Sequence, residues 1–248
     1  MGNKEVKTQA EKVDIYSEDF VSGLFDSMSA TYGLTNYISS FGFTERWRHC
    51  CIEQLPKQAH FMKGYDLMTG MGEVWASLDR RFAKADITAL DISPMMLARA
   101  GANVSRYTYQ ISLLQADVLS NTIPDHSADF VISTFGLKTF NEAQQSLLAD
   151  EVVRILKPGG VFSFIEISVP QNMLRPFYMF YLKRVIPVIG RLFQGNADNY
   201  RMLGRYTSNF KDCSTFFQLL ADRGLNVRFT NYFWGCATGV SGSKPSQK

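Results

Sequence analysis

The sequence has few of the side chains that build disulfide frameworks and metal sites. It contains 4 cysteines and 3 histidines in 248 residues. Cys50 and Cys51 are adjacent, the other cysteines are scattered, and no two histidines stand at the spacing of metal ligands. These patterns fit neither a disulfide scaffold nor a zinc centre. We therefore expect a reduced, cytoplasmic protein that uses no metal.

Long apolar runs and long runs of like charge are also missing. A membrane-spanning helix needs about 20 apolar residues in succession, and no segment of this chain has them. The charged residues 1–14 lack the apolar core of a signal peptide. A net charge of +3 without a basic run gives no support for nucleic-acid binding.

Aromatic residues, in contrast, are abundant. They make up 13% of the chain, and 19 of them are Phe. Such an excess is typical of a roomy apolar pocket or an exposed apolar lid, and it is equally typical of a Phe-rich core.

The order of the predicted elements indicates one α/β domain. A disordered tail is predicted for residues 1–15 and an aromatic, helical cap for residues 16–55. Strands then alternate with helices, which is the pattern of βαβ units in a parallel sheet. Residues 172–210 interrupt this pattern with a helical insertion that we expect to form a lid. The prediction is a single domain over residues 16–248, built on a doubly wound, mostly parallel, seven-stranded Rossmann-like sheet.

A glycine-containing turn follows the first predicted strand, where open parallel sheets bind their ligands. It reads Asp66-Leu-Met-Thr-Gly-Met-Gly72. In dinucleotide-binding folds a third glycine allows close helix packing beside a pyrophosphate. Trp75 occupies that place here, so we do not expect a pyrophosphate ligand.

The next three strand ends complete a pattern. Asp91 follows the second strand, where a carboxylate can accept hydrogen bonds from both ribose hydroxyls. Asp117 follows the third strand and suits an adenine amino group, while Val118 offers a backbone N–H to a ring nitrogen. The residues STFG, which follow the fourth strand, would run along the remaining end of the ligand. A nucleoside that carries an amino-acid arm instead of phosphates satisfies the set, and S-adenosylmethionine is such a ligand. The predicted cofactor-binding residues are Tyr32, Asp66, Thr69, Gly70, Gly72, Asp91, Ile92, Met96, Asp117, Val118 and Thr134. Taken singly, the turn and the acids are equally consistent with ordinary loop residues.

Five segments resemble, in order, the motifs of class I S-adenosylmethionine-dependent methyltransferases. They are GYDLMTGMGE, ITALDISPMML, QADV, ADFVISTFGLKTF and VVRILKPGGVFSFIEIS. Within that class the chain resembles the ubiquinone/menaquinone biosynthesis C-methyltransferase family over about residues 20–245. The segments that carry this resemblance are LFDSMSATYGLTNYISSFGFTERWR, FGLKTF and YLKRVIPVIGRLFQGNADNYRML. The resemblance implies methyl transfer to carbon or oxygen of a hydrophobic, hydroxylated ring, either a quinol precursor or a secondary metabolite.

Two departures from that family concern the acceptor. The family carries Arg-Asn after Phe-Gly-Leu, near the reacting ring, where this chain has Lys138 and Thr139. Lys keeps the charge of Arg but loses its planar fork of donors. Residues 204–211, GRYTSNFK, also differ from a family segment that borders the substrate. The identity of the acceptor is therefore open.

The predicted catalytic residues are Lys138, Tyr32 and Asp26. Because a sulfonium methyl group is displaced in line, we expect the enzyme chiefly to hold the acceptor opposite the sulfur. Lys138 is expected to stabilise a developing phenolate or enolate rather than to act as a base, and the competing interpretation is a solvated loop charge. By resemblance, the segment with Asp26 and Tyr32 folds over the cofactor; the competing interpretation of Tyr32 is ordinary packing. Glu166 is expected to support the site from behind.

The stretch from Asn172 to Phe193 mixes aromatic and aliphatic residues with Lys and Arg. It is consistent with a lid over an apolar acceptor, with a helix lying on a membrane surface, or with a buried helix. Peripheral membrane contact and a homodimer, which related enzymes often form, both stay open. The alternative function is a non-catalytic partner in a biosynthetic complex, favoured only by the loss of the Arg-Asn pair.

Overall fold

The computed structural model describes residues 13–31, 33, 37–38, 40–57, 62–82, 84–192 and 196–246. Within these residues, one sheet contains seven strands in the order β3-β2-β1-β4-β5-β7-β6. The strands are β1 (Met62–Leu67), β2 (Ala85–Asp91), β3 (Gln110–Gln115), β4 (Ala128–Thr134), β5 (Leu156–Ile167), β6 (Asn226–Tyr232) and β7 (Ala237–Ser243). β7 runs antiparallel to both of its neighbours, β5 and β6, and the other described strand pairs are parallel. The predicted doubly wound, mostly parallel sheet is confirmed.

Three of the described helices begin at a residue whose side chain accepts one of their free backbone N–H groups: Ser93, Asn141 and Asn196. The α-helices of the described residues are numbered in chain order. They are α1 (Glu18–Met28), α2 (Phe43–Glu53), α3 (Trp75–Arg81), α4 (Pro94–Gly101), α5 (Glu142–Ile155), α6 (Arg175–Phe180), α7 (Ile186–Leu192), α8 (Ala197–Phe210) and α9 (Ser214–Asp222). At α5, Asn141 and Gln144 form a reciprocal capping box. At α4, Pro94 fits the first turn and the Ser93 hydroxyl accepts the Met96 N–H at 3.1 Å.

Both faces of the sheet are covered by apolar layers. One layer packs under α5 and α9 and the other under α2 and α3. A methyl group on Gly64 of β1 would lie 2.0 Å from the Phe130 ring, which itself stacks on Phe82 at 4.9 Å between centroids. Part of the aromatic excess therefore builds the core, as one of the two interpretations held.

The structure differs from the predicted N-terminal tail and agrees with the predicted helical character of the insertion. The predicted tail includes residue 15, but Ile15 is buried and its carbonyl accepts a hydrogen bond from the Tyr206 hydroxyl. Residues 1–12 lie outside the described part of the chain. The insertion is helical, as expected: α6, a π-helical turn (Tyr181–Val185) and α7 follow without a break, and α8 comes next. Among the described helices, none has the length and apolar character needed to cross a bilayer.

Candidate functional site

A cavity lies at the carboxyl ends of β1, β2, β3 and β4, and α1 forms its outer side. Eight of the predicted cofactor-binding residues line it: Thr69, Gly70, Asp91, Ile92, Met96, Asp117, Val118 and Thr134. Because these strands are neighbours in the order β3-β2-β1-β4, the Asp117, Asp91, Gly70 and Thr134 groups follow one another across the sheet edge. Tyr32 lies outside the described residues.

Asp91 is an acceptor in this cavity that two backbone N–H groups hold in place. Its carboxylate accepts the Gly70 N–H at 2.7 Å and the Ser93 N–H at 2.9 Å. Burial raises the pKa of Asp91 to about 6, although both of these hydrogen bonds favour the charged form. The carboxylate is therefore fixed in direction by the two loops that it joins, and it lines the cavity between them.

The two glycines of the turn have different tasks. Both have left-handed backbone, with φ of +59° at Gly70 and +78° at Gly72. Gly70 lines the cavity. A methyl group on Gly72 would lie 2.5 Å from the Trp75 ring, which is fully buried. The prediction that Gly72 approaches the ligand is corrected: it makes room for Trp75, the residue that stands in place of the third glycine.

Asp66 also serves the turn and does not line the cavity, which corrects its place among the cofactor ligands. Its Oδ2 accepts hydrogen bonds from the Thr69 hydroxyl and, at 2.9 Å, from the Trp75 indole N–H. Burial raises the pKa of Asp66 to about 7. This carboxylate therefore fixes the start of α3 relative to β1 and shapes the loop that carries Thr69 and Gly70.

Asp26 occupies a helix-capping position. One of its oxygens accepts the Ser93 hydroxyl at 2.6 Å and the Met95 N–H at 3.1 Å, so it joins α1 to the first turn of α4. Asp26 does not line the cavity. Both donors that reach this oxygen belong to the protein, so the geometry is that of a helix cap and gives no support to the predicted catalytic role.

Arg48 is a cavity residue that the sequence analysis missed. It projects from α2 and is 4% exposed, and its guanidinium contacts Glu45 at 2.5 Å and Glu73 at 3.3 Å. Its Nε is buried and has no hydrogen-bond partner among the described residues. A buried N–H without a partner is costly and uncommon. Only the position of Arg48 in the family-like segment TERWR, and no residue spacing, could have singled it out.

A second cavity of about 320 Å³ adjoins the first. Aromatic and aliphatic side chains from α2, the α6–α7 run, α8 and the turn after β6 enclose it: Phe41, Phe43, Trp47, Phe135, Ile167, Tyr178, Tyr181, Leu182, Ile186, Tyr200, Leu203 and Phe233. Among its described lining residues there is no Asp, Glu or His. Phe135, directly after β4, lines both cavities.

Lys138 borders this apolar cavity, but its charge is already paired. Its ammonium lies 3.0 Å from Glu166 Oε1 and also donates to the Phe135 carbonyl. The Lys138 N–H donates to the other Glu166 oxygen at 3.0 Å. Lys138 is 3% exposed and Glu166 is fully buried. The interpretation of Lys138 as a solvated charge is therefore wrong, and Glu166 lies behind the site as predicted.

The comparisons with known proteins agree with this arrangement. The model of the ubiE/COQ5 methyltransferase family matches residues 12–244. A Thermus thermophilus demethylmenaquinone methyltransferase is 30% identical over 227 residues, which cover 90% of this chain and all of that protein. This chain belongs to the ubiE/COQ5 methyltransferase family. It is accordingly an S-adenosylmethionine-dependent methyltransferase, and the family supports catalysis over the non-catalytic alternative.

Further matches extend the family and the fold. A Shewanella pealeana protein named ubiquinone/menaquinone biosynthesis C-methyltransferase UbiE is 30% identical, with 86% of each chain covered. A solved structure from Methanococcus maripaludis, titled a putative S-adenosylmethionine-dependent methyltransferase, superposes with a TM-score of 0.58 at 19% identity. That match covers 96% of this chain and 98% of the other and indicates a shared fold.

Proposed function

We propose that S-adenosylmethionine lies across the carboxyl ends of β3, β2 and β1, with the adenine, the ribose and the amino-acid arm following one another in that direction. Asp117 and Val118 would hold the adenine, and the Asp91 carboxylate would accept the ribose hydroxyls. The amino-acid arm would reach Gly70 and the unpartnered Nε of Arg48, whose guanidinium suits a carboxylate. The buried donor without a partner is the observation that best supports this fit, because a ligand carboxylate would satisfy it.

The acceptor that suits the second cavity is a hydrophobic ring with a hydroxyl group. The relatives named above are demethylmenaquinone and ubiquinone/menaquinone methyltransferases, and we extend the quinol class to this chain. The aromatic lining offers ring faces and edges for stacking. Its polar groups are few, among them the Tyr178 hydroxyl, which donates to the Cys236 carbonyl.

In the transfer, an electron pair on a ring carbon or oxygen forms a bond to the methyl carbon and the carbon–sulfur pair returns to sulfur. The acceptor loses one proton. The bound cofactor supplies an electrophilic methyl group with a neutral leaving group, so no Lewis acid is needed and we expect chelators to leave turnover unchanged. The chain's contribution is to align the ring with the methyl group and to keep water out.

The test of this function is a product analysis. The protein is incubated with methyl-labelled S-adenosylmethionine and a panel of reduced one-ring and two-ring quinols, with and without an isoprenoid tail. We expect a singly methylated ring, which fragmentation mass spectrometry assigns to carbon or oxygen. Cofactor binding without transfer to any member of the panel would contradict the proposed acceptor class.

We also infer that the outer side of the α6–α7 run rests on an anionic membrane. Phe177, Phe180, Val188 and Leu192 are exposed there, on the element whose inner side lines the apolar cavity. Residues 167–197 contain no Asp or Glu, but they include Arg175, Lys183, Arg184 and Arg191. Exposed apolar side chains beside unopposed basic ones are the pattern of interfacial helices.

Vesicle sedimentation tests the membrane contact. We expect binding to vesicles that contain phosphatidylglycerol, weaker binding to pure phosphatidylcholine, and loss of binding in Phe177→Asp/Phe180→Asp. Leu147→Asp is the matched control, since Leu147 is an exposed apolar residue of α5. If the double variant instead dissociates an oligomer and leaves vesicle binding unchanged, the surface is a contact between copies and the inference is wrong.

A further inference from the structure

Phe135 holds a strained conformation at the boundary between the two cavities. Its backbone φ is +67°, the left-handed region that favours glycine. It is nevertheless a bulky residue, 7% exposed, that lines both cavities. A strained residue at such a place persists only when its surroundings hold it there.

Three contacts fix Phe135. Its N–H donates to the Ile165 carbonyl at 2.8 Å, and its own carbonyl accepts from the Lys138 ammonium. The Arg48 guanidinium lies over its ring, 5.2 Å from the centroid. Glu166 in turn binds both the ammonium and the backbone N–H of Lys138.

We propose that the Lys138–Glu166 pair is a clamp that holds Phe135 as the wall between the cofactor and the acceptor, and that this wall selects which rings reach the methyl group. Lys138 is then a positioning residue rather than a catalytic base, because both its ammonium and its N–H bind groups of the protein. The inference rests on the proposed function, which places the acceptor in the aromatic cavity. For the acceptor ring to reach the methyl group of the cofactor, its reacting edge must pass the Phe135 side chain.

Three variants test whether the Lys138–Glu166 pair holds Phe135 in place. Lys138→Met alone would leave Glu166 buried without its partner, so the pair is best removed together in Lys138→Met/Glu166→Gln. Phe135→Gly removes the wall itself in a residue that tolerates the same backbone. Lys138→Arg is the conservative control, since a guanidinium still donates to the Phe135 carbonyl and pairs with Glu166.

Quinone binding gives a readout that does not depend on turnover. Trp47 lines the aromatic cavity, so quenching of the fluorescence of a Trp234→Phe protein, which keeps Trp47 and the buried Trp75, reports the affinity of soluble one-ring and two-ring quinones. The Trp47→Phe/Trp234→Phe protein gives the contribution of Trp75. Calorimetric titration with S-adenosylhomocysteine follows the other cavity in the same variants, and thermal unfolding shows that each variant is folded.

We expect the double variant to bind S-adenosylhomocysteine normally, whereas Phe135→Gly removes a side chain that lines both cavities and is compared with the wild type on quinone binding alone. Both should lose discrimination between the quinones, with the affinity for the preferred ring weaker by about tenfold. Lys138→Arg should keep the wild-type preference. The proposal is overturned if the double variant keeps that preference, or if it loses only the basic limb of the pH–rate profile. Altered quinone preference in a protein that methylates no ring would instead refute the proposed function and leave the clamp standing.

Discussion

At the scale of single residues, the proposed binding of the cofactor depends most on the ionisation of Asp91. Burial raises the pKa of this carboxyl to about 6. The ionised form accepts ligand hydroxyls, so a protonated Asp91 must release its proton before it can bind. The affinity for S-adenosylhomocysteine should therefore be constant above pH 7 and fall by about tenfold per pH unit below pH 6. Calorimetry across this range measures it, and a flat profile in the wild type would contradict the assignment. Asp91→Asn should bind weakly at every pH.

Arg48 gives a prediction that separates the two ends of the ligand. If its Nε binds the carboxylate of the amino-acid arm, Arg48→Met should lose about 1.5–3 kcal/mol, or roughly 10- to 150-fold, in affinity for S-adenosylhomocysteine. Methylthioadenosine has the nucleoside without that arm and should bind wild type and variant alike. Equal losses for both ligands would mean that Arg48 only supports the cavity.

The turn offers a matched pair of substitutions. Gly70→Ala meets only the end of the Glu73 side chain, at 3.2 Å, whereas Gly72→Ala meets the Trp75 ring at 2.5 Å. Both acquire left-handed strain of about 1–2 kcal/mol, and Gly72→Ala adds overpacking of about 1–3 kcal/mol. Denaturant unfolding should thus show the larger loss of stability for Gly72→Ala. Calorimetry should show a loss of ligand affinity for Gly70→Ala, and the reverse ranking would contradict the roles given to the two glycines.

These residues also show how far sequence reasoning reaches. Strand ends identify Asp91 and Asp117 because the parallel topology brings them to one edge whatever the packing. The same reasoning assigns Gly72 and Asp66 to the ligand, since it cannot tell a glycine that admits a ligand from one that admits a tryptophan. Arg48 was not found because α2 precedes the sheet and only tertiary packing brings it to the cavity.

At the scale of elements, Asp26 distinguishes a cap from a catalyst. Asp26→Asn keeps an oxygen that can accept the Ser93 and Met95 donors, so it should leave stability and turnover close to wild type. Asp26→Ala should lower the free energy of unfolding by about 1–2 kcal/mol, as the loss of a helix cap does. Abolished turnover in a fully folded Asp26→Asn variant, seen by circular dichroism and a methyl-transfer assay, would restore the catalytic interpretation.

The elements themselves were largely predictable. Alternating apolar strands and helices indicate a doubly wound, mostly parallel sheet once connections follow the usual rules, and the order of the strands came from the structure. The insertion was less so: its sequence is helical, yet apolar residues point both inwards to a cavity and outwards to solvent. Periodicity alone could not choose between a lid, a buried helix and a surface helix, since the α6–α7 run combines features of all three.

At the scale of the whole molecule, two cavities with different chemistry meet at one residue. The polar cavity is built by strand ends that carry the family motifs. The aromatic cavity is built by the cap and the insertion, and it is also lined by Lys138 and by residues of the segment 204–211, where this chain departs from the family pattern. The cofactor could thus be recognised from sequence, while the choice of ring could not, because it depends on how Phe135 and the surrounding aromatic side chains pack.

One measurement tests this division most directly. Transfer of labelled methyl from S-adenosylmethionine to a two-ring quinol is followed in wild type, Asp91→Ala and Leu203→Trp, the last of which fills the aromatic cavity. We expect the wild type to transfer the methyl group and Asp91→Ala to lose cofactor binding. Leu203→Trp should bind the cofactor normally but lose methyl transfer. Transfer at the wild-type rate by Leu203→Trp, or normal cofactor binding by Asp91→Ala, would contradict this division.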